Sequence, residues 1–247
     1  MSSPNENLTI SPKGYLPAKS DSWRMFDEIS PRYDLLNRLL SFGLDVFWRR
    51  QLVQFLPAQH NQKLLDLATG TADVPLTLIR RNKNIEYAVG IDLADKMLAI
   101  GREKVTAAKL EDKILLSHGD AGRIAFNRDV FNVVTMAFGI RNVADPLQVL
   151  REIHRVLKPQ GRAIILEFSL PENRSLRALH LFYLRKAVPA IGWLISGHGE
   201  AYRYLNRTIE QFPYGAAFCA IMADAGFRNP KAHPLLAGIA TIYTGEK

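Results

Sequence analysis

Residues 63–73, Lys63-Leu-Leu-Asp66-Leu-Ala-Thr-Gly70-Thr71-Ala-Asp73, decide how this 247-residue chain is to be read. A short apolar run ends in a carboxylate, passes through small residues and one glycine, and goes straight into a helical stretch. The same kind of run returns at 87–92 (YAVGID), 113–120 (KILLSHGD), 130–138 (VFNVVTMAF) and 162–168 (RAIILEF). These runs are apolar on successive positions instead of alternating with polar ones, which marks strands buried on both faces. Between them lie segments of helical period, among them MLAIGREKV (97–105) and PLQVLREIHRVLK (146–158). Strand and helix in alternation predict an α/β domain with a mostly parallel sheet and helices on both faces. LKPQGR (157–162) reads as the turn between a helix and its strand, with Pro159 and Gly161 as the breakers.

Outward from that frame the pattern changes. Residues 1–20 form a polar tail with Pro and Ser, without the basic start and apolar run of a secretory signal, and read as disordered. Residues 21–60 read as a helical cap, with Ser30-Pro31 as a helix start and Leu35, Leu36, Leu39 and Leu40 at helical spacing. From about 172 to 225 the chain is greasy and helical, an insertion in the single domain 21–247. Two strands follow, near 231–234 and 238–244. The stretch LHLFYLRKAVPAIGWLISG (179–197) is broken by Arg185, Lys186 and Pro189, short of the roughly 20 apolar residues a membrane span needs. One cysteine, Cys219, leaves no intrachain disulfide and no soft-ligand cluster, so no metal is expected and a cytoplasmic location fits. Lys plus Arg exceed Asp plus Glu by 32 to 24, a net +8 that draws the chain toward anionic surfaces. The basic residues come in scattered pairs, without the aromatic-interleaved string of a nucleic-acid binder, so no nucleic-acid partner is expected.

In an open parallel sheet a ligand sits outside the carboxyl ends of the strands. A pyrophosphate needs a free helix N-terminus and several glycines; here one glycine, Gly70, is flanked by Asp66 and Asp73. Carboxylates at that place suit a cationic or zwitterionic ligand. Asp92, at the end of the second run, is placed to accept the hydroxyls of a ribose, and Asp120 beside Ala121 repeats the pattern at the third. A single aspartate after a strand is an ordinary turn or cap residue. Three at successive strand tips point to a nucleoside carrying a charged amino-acid tail.

DLATGTAD, GIDLADKMLAIGREK, GDA, FGIRNVADPLQVLREIHRVLKPQGR and ILEFS, with FDEISPRYDLLNRLLSFGLDVFWRR before them and EAYRYLNRTIEQFP and AGFRNP after, resemble the S-adenosylmethionine-dependent C-methyltransferases of menaquinone and ubiquinone biosynthesis. The closing GIATIYTGEK is more similar to the demethylmenaquinone branch. The resemblance implies a Rossmann-like class I methyltransferase fold whose C-terminal strand is antiparallel, and S-adenosyl-L-methionine as cofactor. Carried over position by position, it implies that Gly70 and Thr71 contact the methionine part, that Asp92 takes the ribose and that Asp120 and Ala121 flank the adenine, with Asp66 also among the cofactor-binding residues. Ala68 and Ala72 stand where many class I enzymes carry glycine, and Ala137 stands where many relatives carry a serine.

The implied reaction is methylation of a ring carbon of a polyprenylated quinol, demethylmenaquinol first and a ubiquinone precursor as the alternative. A basic RNA methyltransferase is a third reading, which the absence of an RNA module disfavours. Ring carbon becomes nucleophilic when the neighbouring hydroxyl gives up its proton, so the site needs a charge to stabilise the phenolate and a route for the proton. Arg141, with Asn142, follows the fourth strand and is placed to do this through a water, since a guanidinium is a poor base by itself. The plainer readings are that Arg141 pairs with a carboxylate of the cap and that Asn142 caps the next helix. Tyr33 is a third catalytic candidate, as a hydroxyl over the pocket or as a buried aromatic. The greasy segment 176–197, with Trp193 and the Arg185-Lys186 pair, suits a prenyl tail and peripheral contact with the inner face of the cytoplasmic membrane. A homodimer completes the expected partners.

Overall fold

The computed structural model describes residues 22–190 and 199–247. Their centre is a seven-stranded sheet in the order β3-β2-β1-β4-β5-β7-β6. Its strands are β1 (Gln62–Leu67), β2 (Ile85–Asp92), β3 (Ile114–His118), β4 (Phe131–Ala137), β5 (Leu157–Phe168), β6 (Arg228–Leu235) and β7 (Ala240–Glu246). The first five pair in parallel; β7 runs antiparallel to both β5 and β6. The C-terminal strand is thus antiparallel as expected, but β6 lies outside it and forms the edge. The doubly apolar runs are explained by the pleat: Leu64, Val133 and Ile164 face one core, and their neighbours Leu65, Val134 and Ile165 face the other.

One face is covered by α2 (Leu44–Gln51), α3 (Asp73–Arg81) and α4 (Asp95–Ala107), the other by α5 (Pro146–Val156) and α8 (Ala216–Asp224). Phe218 and Met222 of α8 are fully buried with Tyr243 of β7 in the main core, so the added helices end before α8. Those added helices are α6 (Arg174–Phe182), which continues into a π turn at Tyr183–Ala187, and α7 (Gly199–Gln211). Leu184, Val188, Leu170 and Ile209 form a small separate core beneath them. LKPQGR is strand and not only turn. Leu157 already pairs with Phe131, and the chain bulges between there and Arg162, which pairs with Val133. Gln160 adopts a φ of 63° in the bulge.

The N-terminal helix α1 spans Ser22–Leu40 and passes through the expected start at Ser30-Pro31. Pro31 has no N–H for the carbonyl of Asp27, and that missing bond would normally break the helix. Ser30 repairs it, its Oγ donating to the Asp27 carbonyl at 2.9 Å. The serine that reads as a cap in the sequence is a backbone substitute within the helix.

Candidate active site

The order of connections reverses between β1 and β4, and the loops after these strands meet there. After β1 the chain turns sharply: Ala68, Gly70 and Ala72 all have positive φ, at 49°, 55° and 64°. Two of the three are therefore alanines held where glycine is at ease. After β4 the chain turns at Phe138, φ 59°, an unusual conformation for a bulky side chain and one that concentrates at functional sites. Gly139 lets the two turns touch, since a Cβ there would lie 2.7 Å from the Cβ of Ala68.

A cavity of about 430 Å³ opens at this reversal, within the usual size of small-molecule sites. Gly70, Asp92, Asp120, Ala121, Ala137, Phe138 and Asn142 line it, with Trp23 of α1 on its rim. Asp92 is anchored by two backbone donors, Gly70 N to Oδ2 at 2.7 Å and Ala94 N to Oδ1 at 2.9 Å. Burial pushes its carboxyl up and these N–H groups pull it back. The donors fix its oxygens at the end of β2 with lone pairs left for a diol. Asp120 accepts from Gly122 N at 2.8 Å and stays exposed at the cavity edge.

Two expected contact residues lie outside the lining. Asp66 is buried under the loop, accepting from Thr135 Oγ1 at 2.6 Å across the β1–β4 register. Burial pushes its carboxyl up to about 7. The hydroxyls of Thr135 and of Thr69 in the loop draw it back down. Thr71 points to the helices: its Oγ1 donates to Asp34 of α1 at 2.8 Å and accepts from Lys104 of α4 at 2.8 Å. Lys104 also pairs with Asp34 (2.5 Å) and Asp73 (2.8 Å), and Asp73 lies 3.5 Å from Arg49. Asp27 adds a tie, accepting from Lys96 N at 2.8 Å in the first turn of α4, where Ala94 supplies no side-chain cap. Loop residues that look like ligand contacts in the sequence thus fasten α1 across the site.

The sequence model of the ubiE/COQ5 methyltransferase family matches residues 18–247. The chain belongs to that family. It is 46% identical over 223 residues to the ubiquinone/menaquinone biosynthesis C-methyltransferase UbiE of Geobacter sulfurreducens, covering 90% of this chain and 87% of the relative. It is 45% identical over 223 residues to the demethylmenaquinone methyltransferase of Thermus thermophilus, covering 90% of this chain and all of the relative. Among solved structures, a SAM-dependent methyltransferase from Thermotoga maritima superposes with a TM-score of 0.65 at 16% identity, covering 91% of this chain and 99% of the other, a likeness of fold. The expected class I methyltransferase fold is present.

In this methyltransferase a second cavity, of about 190 Å³, lies beyond Phe138, whose side of the turn both cavities share. Its walls are mainly apolar, with Trp48 of α2, Phe168 of β5, Leu184 and Val188 after α6, and Leu205 and Ile209 of α7. The Phe138 ring packs 4.6 Å from Phe168 and 6.0 Å from Trp48. Arg141 lines this second cavity, whereas Asn142 lines the first. The partner of Arg141 is not a carboxylate of the cap. It is Glu167 of β5, fully buried, whose Oε1 accepts from Nη1 at 2.7 Å and whose Oε2 accepts from Arg141 N at 3.3 Å. Nη1 also donates to the Phe138 carbonyl at 2.6 Å, and the guanidinium lies over the Phe168 ring. Burial pushes the Glu167 carboxyl up while Arg141 draws it back. Nor does Asn142 cap the next helix, because Asp145 does so, accepting from Gln148 N at 3.1 Å. Tyr33 lies within α1, and its side chain, like His198 and Trp193, falls outside the described residues.

Sequence reasoning passed over Glu167, for which the lone carboxylate inside the apolar run AIILEF was the signal.

Proposed function

We propose that this chain methylates a ring carbon of demethylmenaquinol, giving menaquinol. The observation that carries this reading is the pair of cavities on either side of Phe138, one ending in an anchored carboxylate and the other apolar with a buried arginine in its wall. S-adenosyl-L-methionine supplies a methyl group already activated on a sulfonium. Asp92 takes its ribose hydroxyls, Gly70 lets the backbone approach, and Asp120 and Ala121 flank the base. Asp66 and Thr71 act on the cofactor through the loop they fasten. Arg141, oriented by Glu167, stabilises the phenolate that makes the ring carbon nucleophilic. Asn142 serves from the cofactor side, and Tyr33 is the hydroxyl contributed by α1. Positioning supplies most of the acceleration, for which about 7 to 11 kcal/mol is available.

The family relatives named for both quinones make a ubiquinone precursor the second substrate to assay. Purified protein with methyl-labelled cofactor should put label into menaquinone when given demethylmenaquinol. No incorporation, together with unchanged quinones in a deletion strain, refutes the assignment.

The rest concerns where the enzyme works. Phe42 is 77% exposed, and Leu179 and Phe182 are 65% exposed. Phe42 sits at the second cavity and packs 5.7 Å from Tyr183. Exposed apolar side chains on α6 together with Phe42 at the apolar cavity, on a chain of +8, suit peripheral attachment to anionic lipid at the inner face of the cytoplasmic membrane. No helix among the described residues is long and apolar enough to cross a membrane. The protein should co-sediment with anionic vesicles and Phe42→Ser/Phe182→Ser should not; equal sedimentation of the two refutes the docking face. Association as a homodimer is read by sedimentation equilibrium.

A further inference from the structure

Two aromatic residues line the first cavity, Phe138 and Trp23. Phe138 stands at the end shared with the second cavity. Trp23 comes from α1, and the helix shows which way it turns. Trp23, Asp27, Ser30 and Asp34 follow one another at intervals of four, three and four residues, the spacing of a single helix face. The last three all meet the body of the protein. Asp27 Oδ1 accepts from Lys96 N at 2.8 Å, Ser30 is buried, and Asp34 is bonded to Thr71 and paired with Lys104. Trp23 therefore lies on the inner face of α1, one helical turn before Asp27. The tie at Lys96 sets that turn beside the start of α4, just after Asp92, Leu93 and Ala94, all of which line the cavity. Asp27 is close enough for its charge to add to the upward push on the Asp92 carboxyl. Trp23 is half-buried, with the Arg24 guanidinium 5.3 Å from its ring centroid.

We propose that Trp23 is a cofactor-binding residue that covers the nucleoside end of S-adenosyl-L-methionine, closing the first cavity over the adenine from the side of α1. The inference rests on the first cavity holding the cofactor. A purine presents a flat π face, and an indole meets such a face with a large apolar area that needs few torsions fixed. The position fits the nucleoside and not the sulfonium. Transfer into the second cavity requires the methyl group at Phe138, whereas Trp23 stands with Asp92 and the start of α4. The polar ties of α1 then bear on the cofactor as well. Asp27 holds the turn next to the ring, and Asp34 joins the same helix to Thr71 of the loop after β1, so the indole and the loop are set by one group of contacts.

The test is calorimetry on the full-length protein with S-adenosyl-L-methionine, S-adenosyl-L-homocysteine and 5′-methylthioadenosine, which has the nucleoside but no amino-acid tail. Trp23→Ala should raise all three dissociation constants by the same factor, about 5- to 150-fold, the equivalent of the roughly 1 to 3 kcal/mol of stacking on a base. Trp23→Phe keeps a ring and should recover most of the affinity. In parallel, 5′-methylthioadenosine should change the tryptophan emission of the wild type, and that response should be lost in Trp23→Phe although Trp48 and Trp193 remain. Unchanged constants in Trp23→Ala, a loss confined to S-adenosyl-L-methionine, which would put the ring on the sulfonium, or an emission response that survives in Trp23→Phe overturns the proposal. So does Trp23→Phe binding as weakly as Trp23→Ala, since helix packing and not a ring would then be what was lost. Asp92→Ala separates the two levels of the argument. If it too binds the three ligands as tightly as wild type, the cofactor does not occupy the first cavity and that reading falls; if it binds them weakly while Trp23→Ala does not, only the role of Trp23 falls.

Discussion

Replacing Asp66 with Asn should make the fold more stable in alkali and flatten its dependence on pH. The carboxyl is 1% exposed and is pushed from 3.8 up to about 7. An acid whose folded value is raised binds its proton more tightly in the native state than in the unfolded chain. Stability is therefore full below pH 4, falls as pH rises from about 4, and reaches its floor above about 7. At 1.36 kcal/mol per unit the whole loss is about 4 kcal/mol, of which roughly 2.5 falls between pH 5 and pH 8. The substituted amide would keep an oxygen for the Thr135 hydroxyl and offer an N–H toward Thr69 Oγ1, without a charge to desolvate. Urea unfolding at pH 5 and pH 8 measures the effect. The wild-type midpoint should drop between the two, and that of Asp66→Asn should hold and exceed wild type at pH 8. If both lose the same stability, the buried carboxyl is not what the pH dependence reports. Cofactor affinity should change little at pH 7, since Asp66 does not line the cavity.

Asp92→Ala should raise the cofactor dissociation constant about 100-fold or more, because two hydroxyl contacts to a charged acceptor are lost at about 1.5 to 3 kcal/mol each; calorimetry showing an unchanged constant places the ribose elsewhere. Glu167→Gln should destabilise by about 3 to 5 kcal/mol, by leaving the buried Arg141 uncompensated. The double change Arg141→Met/Glu167→Gln should recover most of that in urea, and a double variant as unstable as the single contradicts the pairing. Ala68→Gly should raise stability by about 0.5 to 1 kcal/mol, as relief of a left-handed alanine (about 1 to 2) outweighs the added chain entropy (about 0.5 to 1); a lower melting temperature counts against strain at that turn.

The sheet was legible because its strands are buried on both faces, so runs such as KLLDL and AIILEF stand out in one dimension, and Asp92 was legible because strand ends are where such sheets bind. Three misreadings have other causes. Ser30-Pro31 looked like a helix start because local statistics do not see a hydroxyl replacing a missing N–H one turn back. Thr71 looked like a ligand contact because its real partners, Asp34 and Lys104, are 37 and 33 residues away in the chain. The partner of Arg141 was sought in the cap because the cap is near the site, whereas the neighbouring strand β5 presents Glu167 directly beneath it. Pairings over long sequence separations are fixed by packing, and one-dimensional patterns do not carry them.

Phe138 has a consequence for the order of events. One aromatic ring, pinned between Trp48 and Phe168 and set on a backbone turn that tolerates few alternatives, is a partition between two compartments. Occupancy of one compartment is therefore expected to change affinity in its neighbour, and by the same factor in both directions; calorimetry with one ligand in the absence and presence of the other measures it, and equal constants refute a link through this ring.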